Sequence, residues 1–241
     1  MTVHFFDRFR SVSMARQLPT LIVVAVVVLL ATTMSGNLDA YAKKRSSRGG
    51  HSVSQESFDL KGFDAIRVDA VAEIEITIGP EFRVELEARE DLIDRVEVFV
   101  RKKSLVIDME DERRIDSDRG IHLDIMMPKL VSVVVKGVAW IEGGVLDNEH
   151  LEISCPGVGE MRFQGVVGQL DVDLQGVGDL DFKELIADDV KVTLGGVGDV
   201  VVHAGKRLDA RVNGMGSIRY HGNPENVRTH VGGLGRIKRI K

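Results

Sequence analysis

The sequence feature that most constrains the fold is a Gly-x-Gly unit that recurs every 18 to 20 residues in the second half of the chain. The complete units are Gly157-Val158-Gly159, Gly176-Val177-Gly178, Gly196-Val197-Gly198, Gly214-Met215-Gly216 and Gly233-Leu234-Gly235. A degenerate unit, Gly137-Val138-Ala139, lies 20 residues before the first of them. Self-similarity at such a period is typical of solenoids, in which one repeat cannot bury its apolar face alone. Stacking of the repeats must therefore supply the core.

Each glycine unit lies between two segments in which apolar and polar residues alternate, the pattern of half-buried strands. Apolar residues occupy corresponding positions before the units, as in Leu170, Val190 and Leu208. Since no helix-period segment separates the strands, a sheet with helical crossovers is excluded, whereas coiling gives every strand a parallel partner. The sequence therefore predicts an all-β fold in which residues 130–241 form a parallel β-helix with rungs of about 19 residues.

The paired glycines are predicted to be structural turns at the corners of this β-helix. A corner taken within three residues needs either a positive φ or a close approach of stacked turns, and a Cβ would obstruct both. The middle residues of the units are apolar, and we expect them to point inward: Val158, Val177, Val197, Met215 and Leu234.

Residues 58–129 do not follow the glycine repeat, but they also alternate with period two. Ile74, Ile76 and Ile78 indicate one strand, and residues 96–100 and 105–109 indicate a hairpin around residues 101–104. The charged segment 110–120 is predicted to be a surface loop. We expect these strands to form or cap the N-terminal end of the β-helix.

The N-terminal segment has the layout of a signal peptide. An apolar run over residues 18–34 follows several arginines and precedes Ala40-Tyr41-Ala42, which fits the small-residue cleavage pattern. We predict a signal peptide over residues 1–42 with the mature chain beginning at Lys43; an uncleaved membrane anchor is the alternative. Residues 43–57 are predicted to be a disordered basic linker. Either reading places the remaining chain outside the cytoplasm.

The charge of the chain argues against nucleic acid as a partner, and its cysteine content excludes a disulfide as a source of stability. The chain carries 37 acidic and 32 basic residues, a net charge of −5, so it lacks the basic excess that nucleic-acid binding needs. Cys155 is the only cysteine, which excludes an intramolecular disulfide. We expect Cys155 to pack as a small apolar residue, and the sequence suggests no cofactor.

The order of elements over residues 58–241 resembles the GIN-domain family, the head domain of bacterial auto-transporter adhesins. The resemblance is carried by residues 62–68 (GFDAIRV), 104–107 (SLVI) and 125–130 (IMMPKL), together with the Gly-x-Gly rungs. It implies a right-handed parallel β-helix and an exported protein, and it brings no catalytic residues with it.

The residue directly after the glycine unit is acidic in three successive rungs, at Glu160, Asp179 and Asp199. Stacking at about 4.8 Å would place these carboxylates in an outward acidic ladder. A solvated face is the simpler interpretation, and weak binding of a divalent cation is the alternative, because a cation would relieve the repulsion.

Trp140, the only tryptophan, occupies the same position in its rung. Its indole is either a ligand contact, stacked on a sugar or a protein partner, or is covered by the first half of the chain, since indoles are mostly buried. His203 and His221 align in adjacent rungs, but two histidines without a third ligand are interpreted as surface residues.

Nothing in the sequence marks a catalytic centre or a phosphate-binding loop. Each Gly-x-Gly unit is followed by a strand and lacks the third glycine and helix of a dinucleotide motif. Some β-helical enzymes cleave polysaccharides with carboxylates and a basic residue on one face. Only a superficial match to them exists, at Asp171, Asp173, Asp179, Asp181 and Lys191.

The last residues, 236–241 (RIKRIK), carry four basic side chains without a separate cap. We interpret these charges as protection of an open strand edge; contact with anionic lipid or polysaccharide is the alternative.

The sequence thus predicts an exported, non-catalytic β-helix of the bacterial cell envelope that presents a surface for adhesion or ligand contact. A structural or signalling-accessory envelope protein is the main alternative, and a carbohydrate-active enzyme the third. The expected partner is an envelope protein or polysaccharide. A homo-oligomer is possible in principle, and membrane contact is expected only through an uncleaved N-terminal segment.

Overall fold

The strands on both sides of the glycine units stack in parallel, as the repeat predicts. The structure is a computed structural model that describes residues 52–109 and 121–241, and these residues form one sheet of 15 strands with a single four-residue helix. The predicted signal peptide (1–42) and the predicted loop (110–120) lie outside the described residues.

The strands of the first half are β1 (Val53–Phe58), β2 (Ala65–Val68), β3 (Val71–Ile78), β4 (Arg83–Arg89), β5 (Val96–Arg101), β6 (Ser104–Met109), β7 (Ile121–Met127) and β8 (Ser132–Val135). The helix α1 (Glu90–Ile93) lies between β4 and β5. The strands of the second half are β9 (Val138–Cys155), β10 (Val158–Leu174), β11 (Val177–Leu194), β12 (Val197–Val212), β13 (Met215–His221), β14 (Asn226–Val231) and β15 (Leu234–Arg239).

The long strands β9 to β12 each run from one glycine corner to the next and pair in parallel with their neighbours. Leu170 stands opposite Val190, and Val190 stands opposite Leu208, and all three are buried. The predicted solenoid is therefore confirmed, with about five turns of about 20 residues each. The right-handed coil that the family resemblance implies stays a prediction.

The core is a set of columns in which equivalent residues of successive rungs lie over each other. After the corner, Met161 lies opposite Leu180, and the rings of Phe163 and Phe182 stack with centroids 5.8 Å apart. Further along β11, beyond a shift in register between Asp181 and Glu184, Leu185 is also fully buried. The rungs above and below bury each apolar side chain and so supply the stabilisation that a single rung lacks.

The corner glycines are required mainly because successive corners touch. A Cβ on Gly176 would lie 1.8 Å from the carbonyl oxygen of Gly157, and one on Gly196 would lie 1.9 Å from the oxygen of Gly176. The two corners lie this close because the backbone amide of Val177 donates a hydrogen bond to the carbonyl oxygen of Gly157 at 3.0 Å. Of the ten paired glycines, two also have φ in the left-handed region, Gly198 at 147° and Gly216 at 141°.

The prediction that the middle residues of the glycine units point inward is wrong. These residues lie in register along one corner and are 42% to 75% exposed; we call them the corner ridge: Val158, Val177, Val197, Met215 and Leu234. The interior at this level is already filled by the residues two positions before and after each unit, such as Cys155 and Met161. The residue at the apex of the corner therefore has only solvent to face.

The first half both extends and caps the solenoid, but its rungs are not stacked in chain order. Strands β2 and β3 form one rung. On one side this rung pairs with β6 and β7, and on the other side with β8 and β9, where the repeat array begins. The antiparallel strands β4 and β1 then extend the β7 side of the sheet.

Two local features of the first half refine the sequence interpretation. The hairpin of β5 and β6 is confirmed, and Lys102 and Lys103 make its turn with φ of 50° and 65°. Strand β1 begins at Val53, within the segment predicted to be a linker, because its backbone pairs with β4 although its side chains are mostly exposed.

The last rung pairs on one side. Within the described part of the chain, β14 pairs only with β12 and β15 only with β13. Its apolar residues are consequently exposed, as Val227 and Val231 show.

Among residues 52–109 and 121–241, no helix has the length and apolarity to cross a membrane.

Candidate functional site

The strands that follow the glycine corners present one continuous outer face, on which equivalent residues of neighbouring strands stand in register. The row that contains Trp140 runs from β4 to β15 through Glu87, His122, Glu73, Trp140, Glu160, Asp179, Asp199, Ser217 and Arg236. Because side chains two residues apart share a face, a second row lies beside it. This row contains Glu85, Asp124, Glu75, Glu142, Arg162, Asp181, Val201, Arg219 and Lys238.

Carboxylates dominate both rows from β4 to β12. We call this part the acidic face, defined by Glu73, Glu75, Glu85, Glu87, Asp124, Glu142, Glu160, Asp179, Asp181 and Asp199. Arg162 is the cation within the two rows between β4 and β12, and its guanidinium donates to Glu142 at 3.1 Å and to Glu160. At the margins of the face, Arg83 pairs with Glu85 at 4.0 Å and Lys183 with Asp181 at 3.4 Å. The two rows become basic only beyond β12, at Arg219, Arg236 and Lys238.

Trp140 lies near the middle of the acidic face, and 43% of it is exposed. The alternative that the first half of the chain covers this indole is wrong. Strand β3 lies beside β9 in the same sheet and places Glu73 next to Trp140 rather than over it. A hollow of about 230 Å³ surrounds the indole, lined by Glu73, Ile74, Glu75, Trp140, Ile141, Glu142, Glu160 and Arg162.

The acidic ladder exists in the predicted register: Glu160 stands opposite Asp179, and Asp179 stands opposite Asp199. The carboxylates at the two ends of the ladder, Glu160 and Asp199, already have partners within the protein. Glu160 pairs with Arg162, and Asp199 accepts from the backbone amide of Ser217 at 3.0 Å and from its hydroxyl. These contacts relieve part of the repulsion without a cation, which supports the solvated-face interpretation.

A second group of possible ligands, which the sequence interpretation missed, lies on the same face. Glu75, His122 and Asp124 each offer one ligand atom, and these atoms lie within 4.8 Å of one another. The group joins β3 to β7, and Glu75 and His122 are far apart in the sequence. No repeat or motif indicates this pairing, so only the register of the two strands could have revealed it.

The predicted alignment of His203 and His221 in adjacent rungs is confirmed. His203 stands opposite His221, with ring centroids 6.0 Å apart. Nδ1 of His203 lies 3.2 Å from the carbonyl oxygen of Lys183. That contact occupies one ring nitrogen with a backbone group, and the pair gains no carboxylate ligand among the described residues.

The residues of the superficial match to polysaccharide-cleaving enzymes do not form one cluster. Asp171, Asp173 and Lys191 precede glycine corners, whereas Asp179 and Asp181 follow one and belong to the acidic face. The glycine corner between the two groups turns the chain to another side of the coil. A shared catalytic site would need both groups to converge on one substrate bond.

Cys155 is fully buried in the column that continues to Leu174. Burial raises the pKa of its thiol to about 11, an effect that outweighs the hydrogen bond from the backbone of Gly157. This burial among apolar residues confirms the prediction that Cys155 packs as a small apolar residue. A buried thiol with a raised pKa is also a poor nucleophile.

Comparison with known proteins gives a family and a fold. The family described as "Putative auto-transporter adhesin, head GIN domain" matches residues 62–224, more than half of the chain. The crystal structure of a "putative adhesin" from Bacteroides fragilis is 22% identical, covers 78% of this chain and 97% of its own, and superposes with a TM-score of 0.66. The chain therefore shares the fold of that protein.

Two further crystal structures are more distant. A "putative adhesin" from Parabacteroides merdae is 17% identical, with 80% of this chain and 98% of its own covered and a TM-score of 0.46. A "putative lipid binding protein" from Parabacteroides distasonis is also 17% identical, with the same coverage and a TM-score of 0.44. A comparison with curated proteins found no match.

Proposed function

Because this chain belongs to the family of auto-transporter adhesin head GIN domains, we propose that it is an exported, non-catalytic adhesion domain that binds its partner through the acidic face around Trp140. The observation that carries the proposal is an exposed indole in a hollow lined by carboxylates. Exposed tryptophans on a rigid surface are frequent anchors of binding interfaces.

The surroundings of Trp140 favour a cationic group as the first point of contact. Glu73 and Glu160 stand on the strands to either side, and Glu142 follows two residues later on the same face. An indole face attracts ammonium and guanidinium groups, and nearby carboxylates add ion pairs and hydrogen bonds. We therefore propose an envelope protein that presents a basic segment as the partner.

A neutral polysaccharide is the second candidate partner. A sugar ring can stack on the indole while its hydroxyl groups donate to the neighbouring carboxylates. An acidic polysaccharide is disfavoured, because the acidic face would repel it. The dependence of binding on salt separates the two candidates, since ion pairs at an exposed surface weaken as ionic strength rises.

The test is an array that displays neutral oligosaccharides and lysine-rich or arginine-rich peptides, probed with the full chain and with its Trp140→Ala variant. We expect binding to the basic peptides, reduced about tenfold or more by Trp140→Ala because anchor tryptophans contribute about 2 kcal/mol or more. The same signal should fall when NaCl is raised to about 0.5 M.

Two carboxylate variants provide a matched comparison. Glu142→Gln removes a charge beside Trp140 and frees Arg162 from one of its two carboxylates, so it should weaken peptide binding. Glu152→Gln changes another exposed carboxylate of β9, close to the next glycine corner, and should not. If the chain instead binds oligosaccharides, and this binding requires Trp140 but does not change with salt, the partner is a neutral polysaccharide. Equal binding by wild type and Trp140→Ala would refute the site altogether.

A further inference from the structure

We propose that Glu75, His122 and Asp124 form a binding site for a divalent transition-metal ion, a further activity of a site that adjoins the hollow at Trp140, whose lining includes Glu73 and Glu75. The ligand atoms of these residues already lie within 4.8 Å of one another. Three protein ligands grouped this closely, with positions left for water or a partner group, are what metal sites with an open coordination position require.

The two strands that carry the site hold it in a fixed arrangement. Glu75 on β3 stands directly opposite Asp124 on β7, so their carboxylates share the face at one level of the sheet. His122 precedes Asp124 by two residues, and its Nε2 lies 3.4 Å from Oδ1 of Asp124. All three ligands therefore come from paired strands, which position side chains more accurately than loops do.

An independent observation concerns the other nitrogen of the same ring. Nδ1 of His122 is buried and has no hydrogen-bond partner, and the side chain is only 12% exposed. The nearest carboxylate oxygen to it is Oε2 of Glu73, at 3.8 Å. Metal-binding histidines usually donate their second N–H to a carboxylate, which fixes the tautomer and the ring orientation. Glu73 is placed to accept that bond once Nε2 binds a metal.

The chemistry of the ligands selects the class of metal. Mg²⁺ and Ca²⁺ prefer sites made of oxygen ligands, whereas one imidazole and two carboxylates suit first-row ions such as Zn²⁺, Co²⁺ and Ni²⁺. Glu85 and Glu87 on β4 stand opposite Asp124 and His122 and add negative charge around the group. A bound dication would offset that repulsion, and the field of the acidic face would raise its local concentration.

The experiment is calorimetric titration of the full chain with ZnCl₂, with CaCl₂ and MgCl₂ as parallel titrants. We expect one saturable Zn²⁺ site in the wild type that Ca²⁺ and Mg²⁺ do not fill. His122→Ala and Asp124→Asn should each weaken it tenfold or more. Glu73→Gln should weaken it about 10- to 100-fold without removing a ligand, as loss of such a supporting contact does elsewhere.

One control variant makes the assignment specific. His203→Ala disrupts the pair that His203 forms with His221 and leaves Glu75, His122 and Asp124 unchanged, so it should bind Zn²⁺ like the wild type. Substitution of Co²⁺ gives a second readout, because its visible absorption changes with the number and geometry of the bound ligands. Loss of that absorption in His122→Ala, with an unchanged circular dichroism spectrum, would support the site.

Unchanged Zn²⁺ affinity in both His122→Ala and Asp124→Asn would overturn the proposal, as would loss of the site in His203→Ala instead. Asp124 is exposed, so its conservative variant keeps the test valid even if His122→Ala folds poorly. A failed array experiment would leave Zn²⁺ binding untouched, and the two proposals can therefore fail separately.

Discussion

Cys155 illustrates how one buried side chain links the core of the solenoid to a measurable property. Its thiol belongs to a column that continues through Leu174, Leu194 and Val212, all of which are fully buried. A thiolate in this column would lose its hydration without gaining a cation, which is why the pKa rises from 9.0 to about 11. The folded chain therefore keeps the proton that the unfolded chain releases.

The stability of the protein should accordingly fall in alkaline solution. Between pH 9 and pH 11 the unfolded state loses the Cys155 proton while the folded state retains it, so the free energy of unfolding decreases as pH rises. The full effect of this group is about 2–3 kcal/mol, and it is present below pH 9. Chemical denaturation at a series of pH values measures it.

Cys155→Ala is the control for other groups that titrate in the same range. The variant should be less stable at pH 7 because it leaves a small cavity, but the difference from the wild type should shrink between pH 9 and pH 11. A constant difference over that range would show that the thiol does not carry the effect.

The residues of the two proposed sites differ in how visible they are in the sequence. Trp140 could be assigned to the acidic ladder because it holds the same position after its glycine unit as Glu160 and Asp179. His122 belongs to a strand outside the repeat, so its neighbours depend on which strands pair and in what register. Its environment therefore could not be derived from spacing.

At the scale of the element, the glycine corner is the place where the backbones of successive rungs leave no space for a side chain. The amide of each middle residue donates to the first glycine of the preceding rung, at 3.0 Å for Val177 and 2.9 Å for Val197. This hydrogen bond brings the two backbones so close that a Cβ has no space. The first glycine of each unit is thus demanded by stacking rather than by an unusual φ.

Gly196→Ala should therefore destabilise the fold strongly. Its Cβ would lie 1.9 Å from the oxygen of Gly176, which forces two rungs apart. Overpacking in a core costs about 1–3 kcal/mol, and each kcal/mol lowers the Tm of a chain of this size by about 2–4 °C. Thermal unfolding followed by circular dichroism measures the change.

Gly205→Ala is the matched control, within β12, the strand that begins directly after Gly196. Its Cβ would meet the oxygen of Ala187 at 3.4 Å and two atoms of Asp188 at 3.6 and 3.7 Å, all ordinary contact distances, and its φ is not in the left-handed region. We expect its Tm to stay within about 2 °C of the wild type or to rise slightly, since alanine reduces the entropy of the unfolded chain. Equal losses in both variants would contradict the stacking argument.

The corner ridge and the last rung show what the repeat does not specify. The ridge residues are apolar but exposed because the apex of a turn projects from the coil. In β15, Arg236 and Lys238 lie on the outer face of a strand that pairs on one side. The interpretation of these charges as edge protection agrees with that position and stays a prediction.

At the scale of the whole molecule, charge is distributed unevenly along the solenoid. The outer face is acidic from β4 to β12 and basic at β13 and β15, through Arg219, Arg236 and Lys238. Because the rungs are rigidly stacked, this gradient is fixed and would orient a charged partner as it approaches. The placement of Trp140 within the acidic part is consistent with the proposed adhesion role.

Export is the part of the proposed function that concerns the whole chain. Membership of an adhesin family is consistent with it, and the proposed mature N-terminus is Lys43. Mass spectrometry of the protein from fractionated cells should find a peptide that begins at Lys43 in the periplasmic or surface fraction. Recovery of the intact N-terminus in a membrane fraction would favour the uncleaved anchor, and recovery from the cytoplasm would contradict export.

The sequence by itself determined the solenoid, its rung length, the glycine corners and the register of the acidic ladder. The repeat has this consequence because each glycine corner places equivalent residues over each other, while register shifts within the strands take up the variation from 18 to 20 residues. The tertiary structure alone decided which strands of the first half are neighbours, and therefore where Glu75 meets Asp124 and why Trp140 remains exposed. Those strands alternate with period two but lack the glycine repeat, so their order follows from the burial of long-range apolar contacts, which local spacing does not encode.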